Sequence, residues 1–416
     1  MATIIPFKGI RPAADKVHLV VTRSADNYRK EVLKHKLETN PFSFLHIINP
    51  DYNEVKRSRP GSPERLRKTK QRFLDFIQEE IFIRDHKPCY YLYQQFKGGH
   101  IYTGIIGCSS VEDYEKGIIK KHEQTLKDRE EKLKDYLEVC DFNAEPVLFF
   151  YPDNAVIEDL ISYYLVKHPA YDFTTTDRVR HKLWVIGDKK NVDTIRKAFE
   201  KTEAIYIADG HHRSASSASL AASKKAKNPN HTGKESYNYY LGIFFSENQL
   251  KVFDFNRVVT DLNGYKEQDL LEKIKEKFRL LPHNENVYRP EHKHKFSMYL
   301  HGKWYELKAK PEICGSNDPV KNLDASILSD HILAPILGIE DLRTNKRVGF
   351  VPGVKGMEEL KAQVDSGKYA IAFGLFPVSM TELKHIADVN GIMPPKTTWV
   401  EPKIRSGLVV YSLADR

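Results

Sequence analysis

The stretch AIYIADGHHRSASSASLAA, residues 204–222, decides how the chain is read. Its apolar start, Ala204 to Ala208, has the composition of a short buried strand. Asp209 and Gly210 supply a sharp turn, and the small residues from Ser214 onward predict a helix. Between strand and helix stand an acid, a glycine, two histidines and an arginine without a spacer. A strand feeding a glycine turn and a helix start aims backbone N–H groups and the positive end of the helix dipole at one spot, which favours a phosphate. Arg213 can grip a phosphate with two parallel hydrogen bonds, and His211 or His212 can donate to it or shuttle a proton. The Ser and Ala run that begins at Ser214 lets a ligand approach the backbone closely. The turn is expected to hold a phosphate-bearing ligand.

Outward from that turn, residues 147–222 alternate strand and helix. Val147–Tyr151 reads as a buried strand, a helix follows to about His168, Arg180–Gly187 is a strand and Val192–Lys201 a helix. This is the pattern of an α/β layer, in which ligands gather at the carboxyl ends of strands. On the N-terminal side, Val17–Val21 and Phe44–Ile48 read as strands, with a charged helix between them that should stop before Asn40-Pro41. Pro63–Arg84 has helical spacing at Leu66, Phe73, Leu74, Ile77 and Ile81. Pro88–Phe96 and Ile101–Cys108, joined by Lys97-Gly98-Gly99-His100, predict a hairpin. Val111–Val139 is expected to form one long charged helix, an arm or spacer with acid–base pairs four apart. Tyr237–Phe245 and Leu250–Val259 predict a second hairpin. Residues 266–310 read as a helix and short strands. Arg347–Val351 and Tyr369–Leu375 read as strands, and Thr381–Val389 as a helix. The organisation expected is an N-terminal region 1–146, a core 147–262 carrying the turn, and a C-terminal region 263–416.

A chain of 416 residues with net charge +9 invites a search for nucleic-acid binding. Much of the charge lies between Asn53 and Arg72, where eight Lys or Arg face Glu54 and Glu64. A proline- and glycine-broken run of this kind reads first as a solvated surface, with attraction of a polyanion as the alternative. No segment reaches the apolar length of a membrane span, and MATIIPFKGIRP lacks the layout of a signal peptide. Cys89, Cys108, Cys140 and Cys314 are widely spaced, which gives no disulfide framework and makes the cytoplasm the expected setting.

Absent motifs narrow the chemistry. The chain has no G-x-x-x-x-G-K-[ST], no G-x-G-x-x-G after its first strands, and no H-E-x-x-H, G-x-S-x-G or kinase H-R-D-x-x-x-x-N. His211 and His212 are adjacent and point apart, so they do not make a metal site alone. Asp209 together with phosphate oxygens can hold Mg²⁺, which needs few protein ligands.

Several blocks together resemble the DUF1015 family: Pro6-Phe7-Lys8, Asn40-Pro41 with Phe44-Leu45-His46-Ile47, His181-Lys182-Leu183-Trp184, Ile207–Arg213 and Met393–Thr398. The D-G-H-H-R turn also resembles the phosphate-binding turn of the ParB/sulfiredoxin superfamily, and most closely that of free L-serine kinases. The resemblance implies a mixed α/β fold built on a ParB/sulfiredoxin-like nucleotide-binding core with additional α/β subdomains. It implies that Gly210, His212 and Arg213, with Ser214 beside them, hold the phosphates of ATP or ADP. Asp209 and His211 would then face the transferred phosphoryl group, with Mg²⁺ as cofactor. Position 211 is His where sulfiredoxin has its reactive Cys, so sulfinic-acid reduction is out. Serine kinases use a carboxylate to accept the hydroxyl proton. Asp209 and Asp26 are the candidates here, and Asp26 serves as well as a turn or N-cap aspartate before the 28–37 helix. Where the family usually has Pro-Tyr-Asp, this chain has Ser24-Ala25-Asp26.

The function expected is nucleotide-dependent phosphoryl transfer to the hydroxyl of a small metabolite, free L-serine first. The alternatives are a ParB-like nucleotide switch that touches DNA through residues 53–72, and a phosphate-ester hydrolase. Nucleotide and a small metabolite are the expected partners, with nucleic acid disfavoured for want of a helix-turn-helix pattern and a homo-oligomer left open.

Overall fold

The computed structural model describes residues 1–283 and 287–414, which form two compact units. The first contains residues 1–120, 124–250 and the segment from Pro402 on; the second contains 121–123 and 251–401. The class is mixed α/β, as the strand and helix patterns predict.

The first unit is built on a nine-stranded sheet. Its strands are β1 (Ile4–Ile5), β2 (Tyr90–Lys97), β3 (His100–Ser110), β4 (Ile119–Lys120), β5 (Val147–Tyr151), β6 (Tyr171–Thr174), β7 (Arg180–Ile186), β8 (Ile205–Asp209) and β9 (Tyr239–Ser246). Across the sheet the order is β4-β8-β5-β9-β3-β2-β7-β6, with β1 beside β3. β2 and β3 form the expected hairpin, turned by Gly98 and Gly99 at φ 58° and 74°, where a side chain would be strained. β8 runs antiparallel to β5 and parallel to β4.

Six helices of this unit matter below: α1 (Lys30–Thr39), α2 (Pro63–Gln78), α3 (Lys127–Cys140), α4 (Ala155–Leu165), α5 (Lys189–Glu200) and α6 (His211–Lys227). Leu160 of α4 and Ile195 and Phe199 of α5 share a core with Leu92, Ile105, Phe149, Ile207 and Phe244 of the sheet. A second core, with Phe44, Phe73, Phe76, Phe82 and Phe142, packs α2 beside the N-terminal segment and takes in Val410. The second unit carries its own seven-stranded sheet and its own apolar core around Phe296, Leu328 and Phe373. Within the expected 266–310 stretch, Glu267–Lys277 is the helix and strands follow at 278–283, 295–300 and 303–309. Residues 284–286 lie outside the described residues.

Several expectations are corrected. Val17–Val20 and Leu45–Ile48 are single helical turns, not strands. A short apolar run has no length over which alternation and helical periodicity can be told apart. Val111–Val139 is not one helix. It is a short helix Val111–Glu115, a turn with Gly117 at φ 72°, the strand β4, and then α3. α3 is also no free arm, since it packs against α2 and α6, and Lys227 of α6 pairs with Glu138 at 3.4 Å.

The Tyr237–Val259 hairpin does not form. β9 pairs with β3 and β5 in the first unit, while Lys251–Val259 pairs with three strands of the second. The compact units likewise cut across the three consecutive regions 1–146, 147–262 and 263–416, because β3 from the first region and β9 from the second lie side by side.

Candidate functional site

β8 ends one residue before the glycine turn and α6 begins one residue after it, so the strand–turn–helix reading of residues 204–222 holds. Its approach to the turn is irregular. Ile207 lies opposite Phe149, yet Asp209 lies opposite Leu148, a register shift that inserts a residue at Ala208. A bulge of this kind bends the strand and re-aims the side chain that follows it, here Asp209.

Gly210 is the N-cap of α6, with φ 106° and ψ 29°, and it offers no side chain to cap the first turn. A Cβ at this position would sit 2.8 Å from Nη2, 2.9 Å from Nε and 3.0 Å from Cζ of Arg213. The glycine therefore does two things: it takes a backbone conformation other residues resist, and it leaves room for the guanidinium to fold back over the turn. Arg213 donates from Nη1 to the carbonyl oxygen of Pro146, and its Nη2 lies 4.0 Å from Asp209 Oδ1. His211 is buried at 3 % exposure, and the Nε2 of His212 accepts a hydrogen bond from the backbone N–H of Leu126, 3.1 Å away. That bond puts the remaining proton of a neutral His212 ring on Nδ1.

A residue the sequence reading did not single out completes the turn. Lys403 donates to Asp209 Oδ2 at 2.8 Å from 194 positions later in the chain. Burial pushes the Asp209 carboxyl up, but the charges of Lys403 and Arg213, the Lys403 hydrogen bond and the His211 ring outweigh it and hold the group well below the usual carboxylate range. Asp209 is thus an anion throughout neutral pH, with Oδ2 taken by the lysine and Oδ1 turned towards the arginine.

Two residues on from Lys403, Arg405 is also engaged. Arg405 Nη2 donates to both Asp177 oxygens, at 3.0 and 2.9 Å, and lies 3.3 Å from Thr175 Oγ1. Burial pushes Asp177 up, while the Thr175 hydroxyl and the Arg405 charge hold it below its ordinary value. Behind Thr175 stands His181, fully buried, with Nε2 at 3.2 Å from Thr175 Oγ1 and Nδ1 at 2.8 Å from Tyr93 Oη. The ring stacks on Tyr93 and Phe173. Burial and the Arg405 charge push His181 down to about 3, against a smaller upward effect of Asp177.

The other expected site residues fall as follows. The structure gathers Asp209, Gly210, His211, His212 and Arg213 on one turn. Ser214 is not part of its open face. Its N–H is used by the Gly210 carbonyl at 3.1 Å, and its side chain is fully buried in the direction of Tyr240. The helical rotation between positions 213 and 214 turns it inward. Asp26 stands on a different element, exposed on the single turn Ala25–Asn27. Beside Arg213 opens a cavity of about 210 Å³ whose walls include Leu133, Tyr136 and Leu137 of α3 and Ser216 and Ser217 of α6.

In the basic segment 53–72, Arg65 pairs with Asp51, Lys68 with Glu54 at 2.6 Å, Lys70 with Asp141, and Arg72 with Glu79 at 3.4 Å. No helix among the described residues is long and apolar enough to cross a membrane, and all four cysteines are free thiols.

Among solved structures, the chain is similar to a free serine kinase in complex with AMP, at 12% identity and TM-score 0.37 over 72% of this chain and 90% of that one. It is similar to C-terminally truncated SbnI from Staphylococcus aureus, at 13% identity and TM-score 0.40 over 74% and 88%. A conserved hypothetical protein from Pyrococcus furiosus matches at 14% identity and TM-score 0.34 over 72% and 94%. No functionally curated protein matches the chain in sequence. Residues 4–326 match the family model described as protein of unknown function DUF1015, and the chain belongs to that family.

Proposed function

We propose that the first unit is a nucleotide-dependent phosphotransferase whose acceptor is the hydroxyl of a small metabolite, with free L-serine the first candidate. The observation that carries this reading is the turn itself: a glycine N-cap at positive φ, an arginine folded over it, and an aspartate kept ionised by two cations. The uncapped first turn of α6 and Arg213 receive the phosphates of ATP or ADP. The cavity bounded by Leu133, Tyr136 and Leu137 offers the apolar and aromatic walls that suit a nucleoside base. L-serine is the acceptor implied by the likeness of D-G-H-H-R to the turn of free serine kinases.

In the reaction the acceptor oxygen forms a bond to the terminal phosphorus, and the bond from that phosphorus to the departing ADP or AMP breaks. The hydroxyl proton passes to a carboxylate. Asp209 is a poor proton acceptor, because a carboxyl held so far down has little affinity for a proton at neutral pH. It suits Mg²⁺ instead, through Oδ1 and beside phosphate oxygens, where the ion would neutralise phosphate charge. Asp26 remains the candidate base. His211 and His212 stabilise the equatorial oxygens during transfer.

The DNA-switch alternative is weakened by the ion pairs that already occupy Arg65, Lys68, Lys70 and Arg72. The deciding experiment is a ³¹P NMR time course of the purified chain with Mg²⁺, ATP or ADP, and L-serine. A new phosphomonoester resonance is expected, reduced at least 100-fold in rate in Arg213→Ala. Accumulation of inorganic phosphate alone makes the site a hydrolase, and no turnover with retained nucleotide binding returns the switch reading.

A further inference from the structure

The first unit has a larger cavity that none of residues 209–213 lines. It measures about 690 Å³ and lies between residues 18–43 and the loop at 174–177 that joins β6 to β7. Arg23, Lys36 and Arg405 line it together with two histidines, His18 and His35, and Asp177 is the one carboxylate among its lining residues. That carboxylate is already answered, by Arg405 at 2.9 Å and by Arg23 at 4.0 Å. The cations therefore exceed what the cavity's own acid can balance.

Arg405 supplies an independent sign. Its side chain is 5 % exposed, and its Nε has no hydrogen-bond partner. A buried guanidinium N–H left unpaired costs free energy that an anionic acceptor would recover. Arg23 is held in place by stacking its guanidinium 4.6 Å over the Tyr28 ring, and Lys36 is steadied by Thr176 at 3.1 Å. The wall is mixed: Val21, Val32 and Phe42 supply apolar surface among hydroxyl and amide side chains such as Thr22, Asn40 and Thr176. The volume far exceeds a bare phosphate, so the apolar wall has a ligand body to meet.

We propose that this cavity binds a small organic anion, whose carboxylate or phosphate end lies against Arg405, Arg23 and Lys36 and whose apolar body lies along Tyr28, Val32 and Phe42. None of residues 209–213 lines it, and the proposal stands whether or not that turn transfers phosphate.

The test is thermal melting of the full-length chain in rising inorganic phosphate or pentanoate, at ionic strength fixed with chloride. It is made in an Arg213→Ala background, so that phosphate taken up at the turn does not contribute. His212→Ala serves instead if Arg213→Ala fails to melt cooperatively. A saturable rise in Tm is expected, since a ligand that binds the folded state alone stabilises it by mass action. Adding Arg23→Gln and Lys36→Gln, both at solvent-reached positions, should raise the half-saturating concentration at least tenfold. A rise with phosphate marks a phosphate-bearing ligand and a rise with pentanoate a carboxylate. No saturable rise with either probe, or one that the two added substitutions leave unchanged, overturns the proposal.

Discussion

Gly210→Ala is expected to leave the chain folded and to weaken nucleotide binding by about 10- to 100-fold, the worth of one charge-assisted hydrogen bond to phosphate. Alanine at φ 106° carries strain of about 1–3 kcal/mol. The atoms its Cβ would meet belong to the tip of Arg213, a flexible side chain that can swing away. The fold therefore survives with a Tm lowered by several degrees, while the guanidinium loses the position that a phosphate needs. Calorimetric titration with ADP, run beside a thermal melt, separates the two effects. Unchanged ADP affinity in Gly210→Ala would show that nucleotide does not sit on this turn, and the proposed function would fall with it.

The second large effect is acid sensitivity from His181. Its folded-state value, about 3, lies below the value near 6.5 that it regains on unfolding. Stability from keeping this ring neutral is complete above pH 6.5 and is lost as pH falls towards 3, because the unfolded chain takes up the proton first. Between pH 7 and pH 4.5 the loss amounts to about 2–3 kcal/mol, from 1.4 kcal/mol per pH unit below 6.5. Carboxylates held below their ordinary range, such as Asp177 and Glu382, and the buried rings of His46, His294 and His331 add their own losses in that window, so His181→Gln should reduce the dependence without abolishing it. Urea unfolding of the two proteins at pH 7 and pH 4.5 measures it. Parallel losses in wild type and His181→Gln would mean that the buried ring is already protonated or that the cluster opens at mild acid.

What the sequence revealed followed the range over which its signals act. The turn at Asp209–Arg213 was legible because strand, glycine and helix start are all encoded within twenty residues. The hairpin at Lys97–His100 was legible for the same reason. Val17–Val20 was not, because four apolar residues fit a strand or a buried helical turn equally well. The break in the 111–139 helix depended on Ile119–Lys120 finding Ile205–Tyr206 as a parallel neighbour, a pairing that local periodicity does not contain. The same limit hid Lys403, whose partner is an aspartate 194 positions away, and the burial of Ser214, set by how α6 packs on the sheet. Short-range chemistry could be read; long-range charge pairing had to be seen.

The late position of Lys403 in the chain has a bearing on biosynthesis. A ribosome releases the D-G-H-H-R turn and every strand of the nine-stranded sheet before it reaches Lys251, where the main part of the second unit starts. During all of that translation Asp209 lacks its lysine and Asp177 lacks its arginine, since both cations arrive only after Glu401. The nascent first unit therefore holds these two carboxylates with only the more distant arginines, Arg213 and Arg23 at 4.0 Å, until the last stretch of chain folds back. A message truncated anywhere within the second unit would yield a protein with an intact signature and a turn without its lysine, and such a product should be a readier target for proteolysis.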